Sequence, residues 1–175
     1  MKDKYILVGK AASGKNFMQQ KMISKGYIPM KQYTSRPIRE NETGDEYHFV
    51  NNETFLKMKD EGKFVSANFY AIGWYGISLD ELKKCDVAIL SPANIKDIFE
   101  DNPELRNEFK IIYIDVPVEV RIERLRKRYV SKFDDDNERR IQADENDFKL
   151  LTDWDLTVKN ENEIISFVNN LHPIF

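Results

Sequence analysis

Residues 5–16 read Tyr5-Ile6-Leu7-Val8-Gly9-Lys10-Ala11-Ala12-Ser13-Gly14-Lys15-Asn16. Four consecutive apolar residues stopped by a glycine are the pattern of a strand buried on both faces. A Gly/Ala/Ser loop follows. A helix then begins, with Met18 and Met22 on one face, Phe17 and Ile23 at its flanks and Gly26 at its end. Within the loop, Gly9, Gly14 and Lys15 have the G-x-x-x-x-G-K spacing, after a strand and at a helix start. The glycines let the backbone curl so that successive N–H groups point inward, and the helix N-terminus adds partial positive charge. Lys15 adds a full charge that can follow the β- and γ-phosphates of a nucleotide. The eighth position of this pattern takes Ser or Thr, whose hydroxyl ligates Mg²⁺. Asn16 stands there; its amide oxygen is a neutral hard donor that Mg²⁺ accepts, at a reach different by one atom.

Outward from this loop, three more apolar runs read as buried strands: Val87–Leu90, Ile111–Ile114 and Leu156–Val158. Helical spacing is predicted over 93–100, 118–129, 138–150 and 161–171. In the second of these, Val118, Ile122, Leu125 and Tyr129 share a face. Buried strands alternating with helices give an α/β fold with a mainly parallel sheet. Residues 28–80 break that rhythm with turn signals and an aromatic cluster from Phe64 to Tyr75. They read as short, partly antiparallel strands with a helix near 53–61, inserted over the sheet. The stretch 130–137, rich in Asp, is a polar loop between two Arg-rich helices, either a lid or a plain solvated loop.

Composition bounds the function. The chain has 175 residues, enough for one domain with small insertions. Its net charge of -3 gives no general attraction for nucleic acid or anionic membrane, so any anion site is local. Of nine arginines, only Arg106 lies outside the segments 36–39 and 121–140. No segment approaches the roughly 20 apolar residues of a membrane span, and the apolar run at 5–8 is too short for a signal-peptide core. Cys85 has no partner for a disulfide or a zinc site and no nearby histidine to activate it, which predicts a buried or idle thiol. These features point to a cytoplasmic protein.

A longer resemblance begins at Thr34-Ser35-Arg36-Pro37-Ile38-Arg39, continues through Glu42 and Gly44 to Tyr47-His48-Phe49, and resembles the guanylate kinase signature T-T-R-x-x-R-x-G-E…G-x-D/E-Y-x-F. Phe64-Val65-Ser66 and Trp74-Tyr75-Gly76-Ile77-Ser78 are similar to F-L-E…Y-Y-G-T-S. Arg124-Leu125-Arg126-Lys127-Arg128 is similar to R-L-x-x-R, Arg139-Arg140-Ile141 to R-R-L, and Asp155-Leu156-Thr157-Val158-Lys159-Asn160 to D-Y-x-V-x-N. The matches keep the family's order from residue 6 to about 160.

The resemblance implies a P-loop nucleoside monophosphate kinase: one guanylate kinase-like domain with a core (about 1–31, 81–120 and 141–175), a nucleotide-acceptor insertion (about 32–80) and a lid (about 121–140). It implies transfer of the γ-phosphoryl of ATP, with Mg²⁺, to a nucleoside monophosphate, with no nucleic-acid or membrane partner and either a monomer or a homodimer. ATP would be held by Gly9, Ala11, Ala12, Ser13, Gly14, Lys15, Asn16 and Asn160. The acceptor would be held by Gln32, Arg36, Arg39, Tyr47, Ser66, Tyr75, Ser78 and Ser91. Lys15, Arg36, Arg124, Arg128, Arg139 and Arg140 would stabilise the transferring group, and Asn16 would face the metal. The chemistry agrees, because phosphoryl transfer needs alignment of two anions and stabilisation of spread negative charge rather than covalent catalysis.

The base-reading positions depart from the family. Ser66 stands where the family carries a Glu that accepts from guanine, Gln32 where it carries Ser, and Ile77 where it carries Thr. Ser91-Pro92 replaces its strand-end acid. A carboxylate facing two guanine donors forms charge-assisted bonds that a hydroxyl does not match. The expected acceptor is therefore GMP or dGMP with weakened base preference, or a different monophosphate. Two other readings stay open: a ribose 1,5-bisphosphate phosphokinase-like enzyme, and a non-catalytic guanylate kinase-like binding module.

Overall fold

The apolar run at 5–8 becomes an inner strand of a parallel sheet in the computed structural model, which describes residues 3–39, 42–70, 73–128, 141 and 144–172. That strand, β1 (Lys4–Gly9), is buried from Tyr5 to Gly9 because it has neighbours on both sides. On one side β6 (Val87–Ile89) pairs with it, Ile6 opposite Ala88. On the other, β7 (Phe109–Ile114) pairs with it, Ile6 opposite Ile111, and β8 (Leu156–Val158) closes the order β6-β1-β7-β8. All three pairings are parallel. A strand with apolar contacts on both faces needs an unbroken apolar run, and Tyr5–Val8 supplies it.

The chain forms two compact units, residues 1–28 with 86–175, and residues 29–85. In the first, α1 (Lys15–Ile23) buries Met18 and Met22 against the sheet, and α6 (Glu161–Asn170) buries Ile164 and Val168. These join Leu7, Ile112, Ile114 and Val158 in one core, each contributing about 1.5–3 kcal/mol of gross transfer free energy. The remaining helices are α4 (Pro92–Asp101) and α5 (Val118–Arg128). Ser91 caps α4 in a reciprocal box with Asn94, and Pro92 takes the first turn, where a missing N–H costs nothing. Cys85, at the edge of the second unit, is buried.

The stripe expected on α5 is corrected. Leu125 is buried, but Val118 is 37% exposed, and Arg121 is buried at 2% exposure. Tyr129 lies outside the described residues. Arg121 sits at the same helical spacing as Val118 and Leu125, and it is tolerated inside because oxygen partners meet it there. Of the helix expected over 138–150, residue 141 and residues 144–147 are helical and Phe148–Leu150 form a 3₁₀ turn.

The second unit is a sheet of order β3-β2-β5-β4: β2 (Tyr33–Thr34), β3 (His48–Phe49), β4 (Ser66–Tyr70) and β5 (Gly73–Ile77). Side chains alternate across a strand, so Trp74 and Tyr75 face opposite sides. On the Trp74 side, α2 (Asn52–Asp60) delivers Phe55, which stacks on Phe64 at 4.7 Å and on Trp74 at 5.9 Å. The Tyr75 side is left for Arg36, Tyr47 and Phe49. A helix not anticipated from sequence, α3 (Leu79–Lys84), starts where Ser78 Oγ accepts from the Glu81 N–H at 3.3 Å. The Ser-x-x-Glu spacing at 78–81 was its readable start signal.

Gly73 passes directly over Arg36. A Cβ on Gly73 would stand 2.6 Å from Arg36 Cβ and 2.7 Å from its backbone nitrogen. Gly73→Ala is therefore expected to destabilise the protein by about 1–3 kcal/mol through overpacking. Calorimetry checks this; an unchanged Tm would contradict it. Among the described residues, no helix is long and apolar enough to cross a membrane.

Candidate functional site

The loop between β1 and α1 curls as its composition requires. Ala12 has φ 60° and Gly14 φ 110°, so two left-handed residues flank Ser13 and bend the loop tightly, with the Ser13 N–H donating to the Lys10 carbonyl at 3.1 Å. Ala12 bears a cost of about 1–2 kcal/mol for that conformation, a strain characteristic of functional loops. Residues 11–17 line a cleft of about 440 Å³ together with Arg124, Leu125, Glu161 and Ile164. Lys15 folds back so that its ammonium donates to the carbonyls of Gly9 and Lys10. Asn16 is exposed at the mouth of this cleft. Ser13 is buried, and its hydroxyl has no hydrogen-bond partner among the described residues.

Helix α5 supports the loop from outside. Arg124 Nη1 donates to the carbonyls of Ala12 and Ser13 at 3.1 and 3.2 Å. On the loop's other flank, the Ala11 N–H donates to Asp144 Oδ2 and Lys10 Nζ to Glu145 Oε1, both at 2.6 Å. Lys10 holds the Glu145 carboxyl below its usual range.

A second cleft of about 470 Å³ lies beside Arg124, lined by Val116, Pro117, Val120, Lys159 and Asn160 among others. Asn160 caps α6, accepting from the Glu163 N–H at 2.9 Å and donating to the Glu163 carboxylate at 2.8 Å. Apolar walls beside a polar amide suit a flat heteroaromatic ring.

In the second unit the residues singled out around 36–75 converge. Arg36 is 3% exposed. Its Nη1 donates to Glu42 Oε2 at 2.7 Å and to the Pro37 carbonyl at 2.8 Å, and its Nη2 pairs with Glu42 Oε1. The Tyr47 and Phe49 rings stand 5.0 and 5.3 Å from its guanidinium carbon. Tyr47 and Tyr75 meet edge to face at 5.9 Å. Burial pushes the Tyr47 phenol up, so it stays a hydrogen-bond donor through neutral pH. Its bond to Arg36 holds the Glu42 carboxyl at about 2, far below its ordinary range. Arg39 is exposed: its N–H donates to Glu42 Oε2 at 2.9 Å, while its guanidinium makes no ion pair among the described residues.

Other expected positions are placed as follows. Ser66 is buried and accepts from Asn68 Nδ2 at 3.1 Å. Gln32 is half-buried, its carbonyl accepting from the His48 N–H at 2.9 Å. Ser78 is committed to capping α3, and Ser91, in the first unit, to capping α4. The Arg128 side chain, Arg139 and Arg140 lie outside the described residues. Among the described residues, no three His, Cys, Asp or Glu side chains are grouped to hold a metal. Asn16, Ser13 and Glu161 are the oxygen-bearing side chains lining the cleft of residues 11–17.

The guanylate kinase family profile matches residues 1–172. The chain belongs to the guanylate kinase family. The guanylate kinase of Legionella pneumophila strain Lens is 32% identical over 83 residues, 46% of this chain and 40% of that protein. This chain thus matches about two fifths of the length of that relative. The guanylate kinase of Sulfurimonas denitrificans is 25% identical over 173 residues, spanning 90% of this chain and 79% of its own. The crystal structure of guanylate kinase from Anaplasma phagocytophilum superposes with a TM-score of 0.66 at 16% identity, covering 95% of this chain and 81% of that one. That likeness is one of fold.

Against this guanylate kinase frame, sequence reasoning passed over Glu42, Asp144 and Glu145. Glu42 was visible in the quoted signature, but its bidentate hold on Arg36 was not. Asp144 and Glu145 follow the lid-like arginines, and their reach to the phosphate loop spans 133 and 135 residues of sequence, with no local pattern to announce it.

Proposed function

We propose that this chain is an ATP-dependent nucleoside monophosphate kinase, most like guanylate kinase, with relaxed choice of base. The observation that carries the reading is the loop between β1 and α1: two left-handed residues, Lys15 beside them and a cleft lined by residues 11–17, in a member of this family. Gly9 to Asn16 hold the ATP phosphates, and the Lys15 ammonium leaves the carbonyls of Gly9 and Lys10 for the β- and γ-phosphates. Asn160 and the apolar walls of its cleft receive the adenine. Residues 29–85 form the acceptor insertion, where Arg36 and Arg39 grip the acceptor phosphate and Tyr47 and Tyr75 donate to it. Gln32, Ser66 and Ser78 complete the acceptor's surroundings in this unit; Ser91, the further acceptor position that the family resemblance suggests, belongs to the other unit.

Mg²⁺ bound with ATP offsets the developing charge on the phosphates, with the Asn16 amide oxygen as this chain's donor toward it. Arg124, with Arg128, Arg139 and Arg140 of the segment that resembles the lid, stabilises the equatorial oxygens of the transferring group. Such a protein works in the cytoplasm, where ATP is supplied.

Ser66 carries the finer reading. A buried hydroxyl already engaged with Asn68 presents no charge to the two donors of guanine. Missing one charge-assisted pair removes about 1.5–3 kcal/mol of discrimination, about ten- to a hundredfold in kcat/KM. Ribo- and deoxymonophosphates of all bases, and ribose 1,5-bisphosphate, should be assayed with ATP and Mg²⁺. GMP or dGMP is expected to lead the other monophosphates by no more than about tenfold. Selectivity for GMP above a thousandfold would defeat the relaxed-base reading, and no phosphorylated acceptor would defeat the kinase reading.

A further inference from the structure

The buried guanidinium on α5 lies beneath the two acids that hold the phosphate loop. Arg121 Nε donates to the Val116 carbonyl at 3.2 Å. Its Nη1 stands 3.7 Å from Asp144 Oδ2 and its Nη2 3.6 Å from Glu145 Oε1. These are ion-pair distances; Nη1 makes no hydrogen bond among the described residues. The close contacts of both acids run to the loop instead, at 2.6 Å from Asp144 to the Ala11 N–H and 2.6 Å from Glu145 to Lys10. Arg121 therefore serves as the counter-charge that lets two adjacent carboxylates sit at a site meant for anions.

We propose that Asp144, seated on Arg121, is a positioning residue for the phosphate loop. Its carboxylate fixes the Ala11 N–H, next to the carbonyls that Arg124 takes, and so sets the curvature that presents residues 12–16 to a triphosphate. The loop is clamped from two sides: Arg124 takes the carbonyls of Ala12 and Ser13, and Asp144 takes the N–H of Ala11. This rests on the phosphate loop binding ATP, as proposed above, and adds a residue whose charge opposes that ligand.

The sign of that charge separates positioning from a plain field effect. Deleting a negative group beside a polyphosphate site strengthens ATP binding if only the field matters. If Asp144 positions the loop, its deletion weakens binding. Equilibrium binding of a non-hydrolysable ATP analogue to the whole protein, with and without Mg²⁺, reads this directly. Asp144→Ala is expected to raise Kd about tenfold, and Asp144→Asn, which keeps an acceptor for the Ala11 N–H, to recover to within about threefold of the parent. The triple variant R121M/D144A/E145A removes the ion cluster altogether: the buried Arg121, the half-buried Asp144 and the exposed Glu145. It leaves no buried charge without a partner, so Tm is expected to be retained while the weak ATP binding persists. Unchanged or tighter binding by Asp144→Ala would overturn the proposal, as would recovery of ATP affinity in the triple variant. If the parent binds no analogue, or Lys15→Ala binds it as well as the parent does, the phosphate-loop reading itself falls, and this proposal with it.

Discussion

Lys15→Ala is expected to lower kcat about a thousandfold or more while leaving the fold intact. The side chain packs no core. Its ammonium rests on the carbonyls of Gly9 and Lys10, a position held by hydrogen bonds that water can replace. The loss is therefore one of chemistry. As the γ-phosphoryl group leaves, charge spreads over its equatorial oxygens, and a full positive charge in a water-poor cleft is worth more there than in the ground state. The effect should appear in kcat and in KM for ATP, with the acceptor's own Kd unmoved. Steady-state kinetics with a calorimetric Tm control checks it. Retention of more than a tenth of the activity would remove Lys15 from the transferring group.

Arg36→Met is expected to be the most damaging change in the acceptor unit. The guanidinium fork takes a carboxylate through two nitrogens, and its aromatic walls keep it from turning elsewhere. A phosphate demands the same fork, so kcat/KM for the acceptor should fall about a hundredfold or more, with KM for ATP unchanged. Stability responds through Glu42. Its folded-state carboxyl, near 2 against an ordinary 4.5, means the bond is present above pH 4.5 and is lost as pH falls through about 2. Without Arg36 that carboxyl returns toward its ordinary value, so the variant gains nothing from the pair at any pH. The parent should thus exceed the variant in stability by a constant margin from pH 8 to 5, and the margin should shrink below pH 4.5. Urea unfolding at stepped pH measures this. A margin that widens in acid would assign the stabilisation to another group.

Much of the fold was legible because one run of residues carried several signals at once. Tyr5–Val8, the glycines and Lys15 agreed on strand, turn, helix and anion site, and such agreement across levels marks a well-specified segment. The same held for Val87, Ile111–Ile114 and Leu156–Val158, whose apolar runs become the other strands of the sheet. The grouping of candidate residues was legible where chemistry and local spacing coincide, as for Arg36 and Tyr47. It was hidden where a long-range contact decides. The expected stripe on α5 puts the arginines of this helix on its other side, free to point at a ligand, yet Arg121 is buried as Leu125 is. Binary patterning treats a cation there as a misfit; the Val116 carbonyl and the distant Asp144 and Glu145 explain it. The order of β1 between β6 and β7 was equally unavailable, since apolar runs look alike to a pattern of period and length.

The division of the chain also has a consequence for the ribosome. Residues 29–85 form one uninterrupted stretch, and the hairpin β4–β5 pairs residues 66–70 with 73–77. β1 must wait for β6 and β7, with Ile6 paired to Ala88 and Ile111. Local pairings close quickly and distant ones late, and synthesis proceeds from the N-terminus at about 5–20 residues per second. The inserted unit can therefore collapse in the exit vestibule while the strand before it remains unpaired. The apolar run that decides the fold is thus the segment left longest in need of protection by a nascent-chain chaperone.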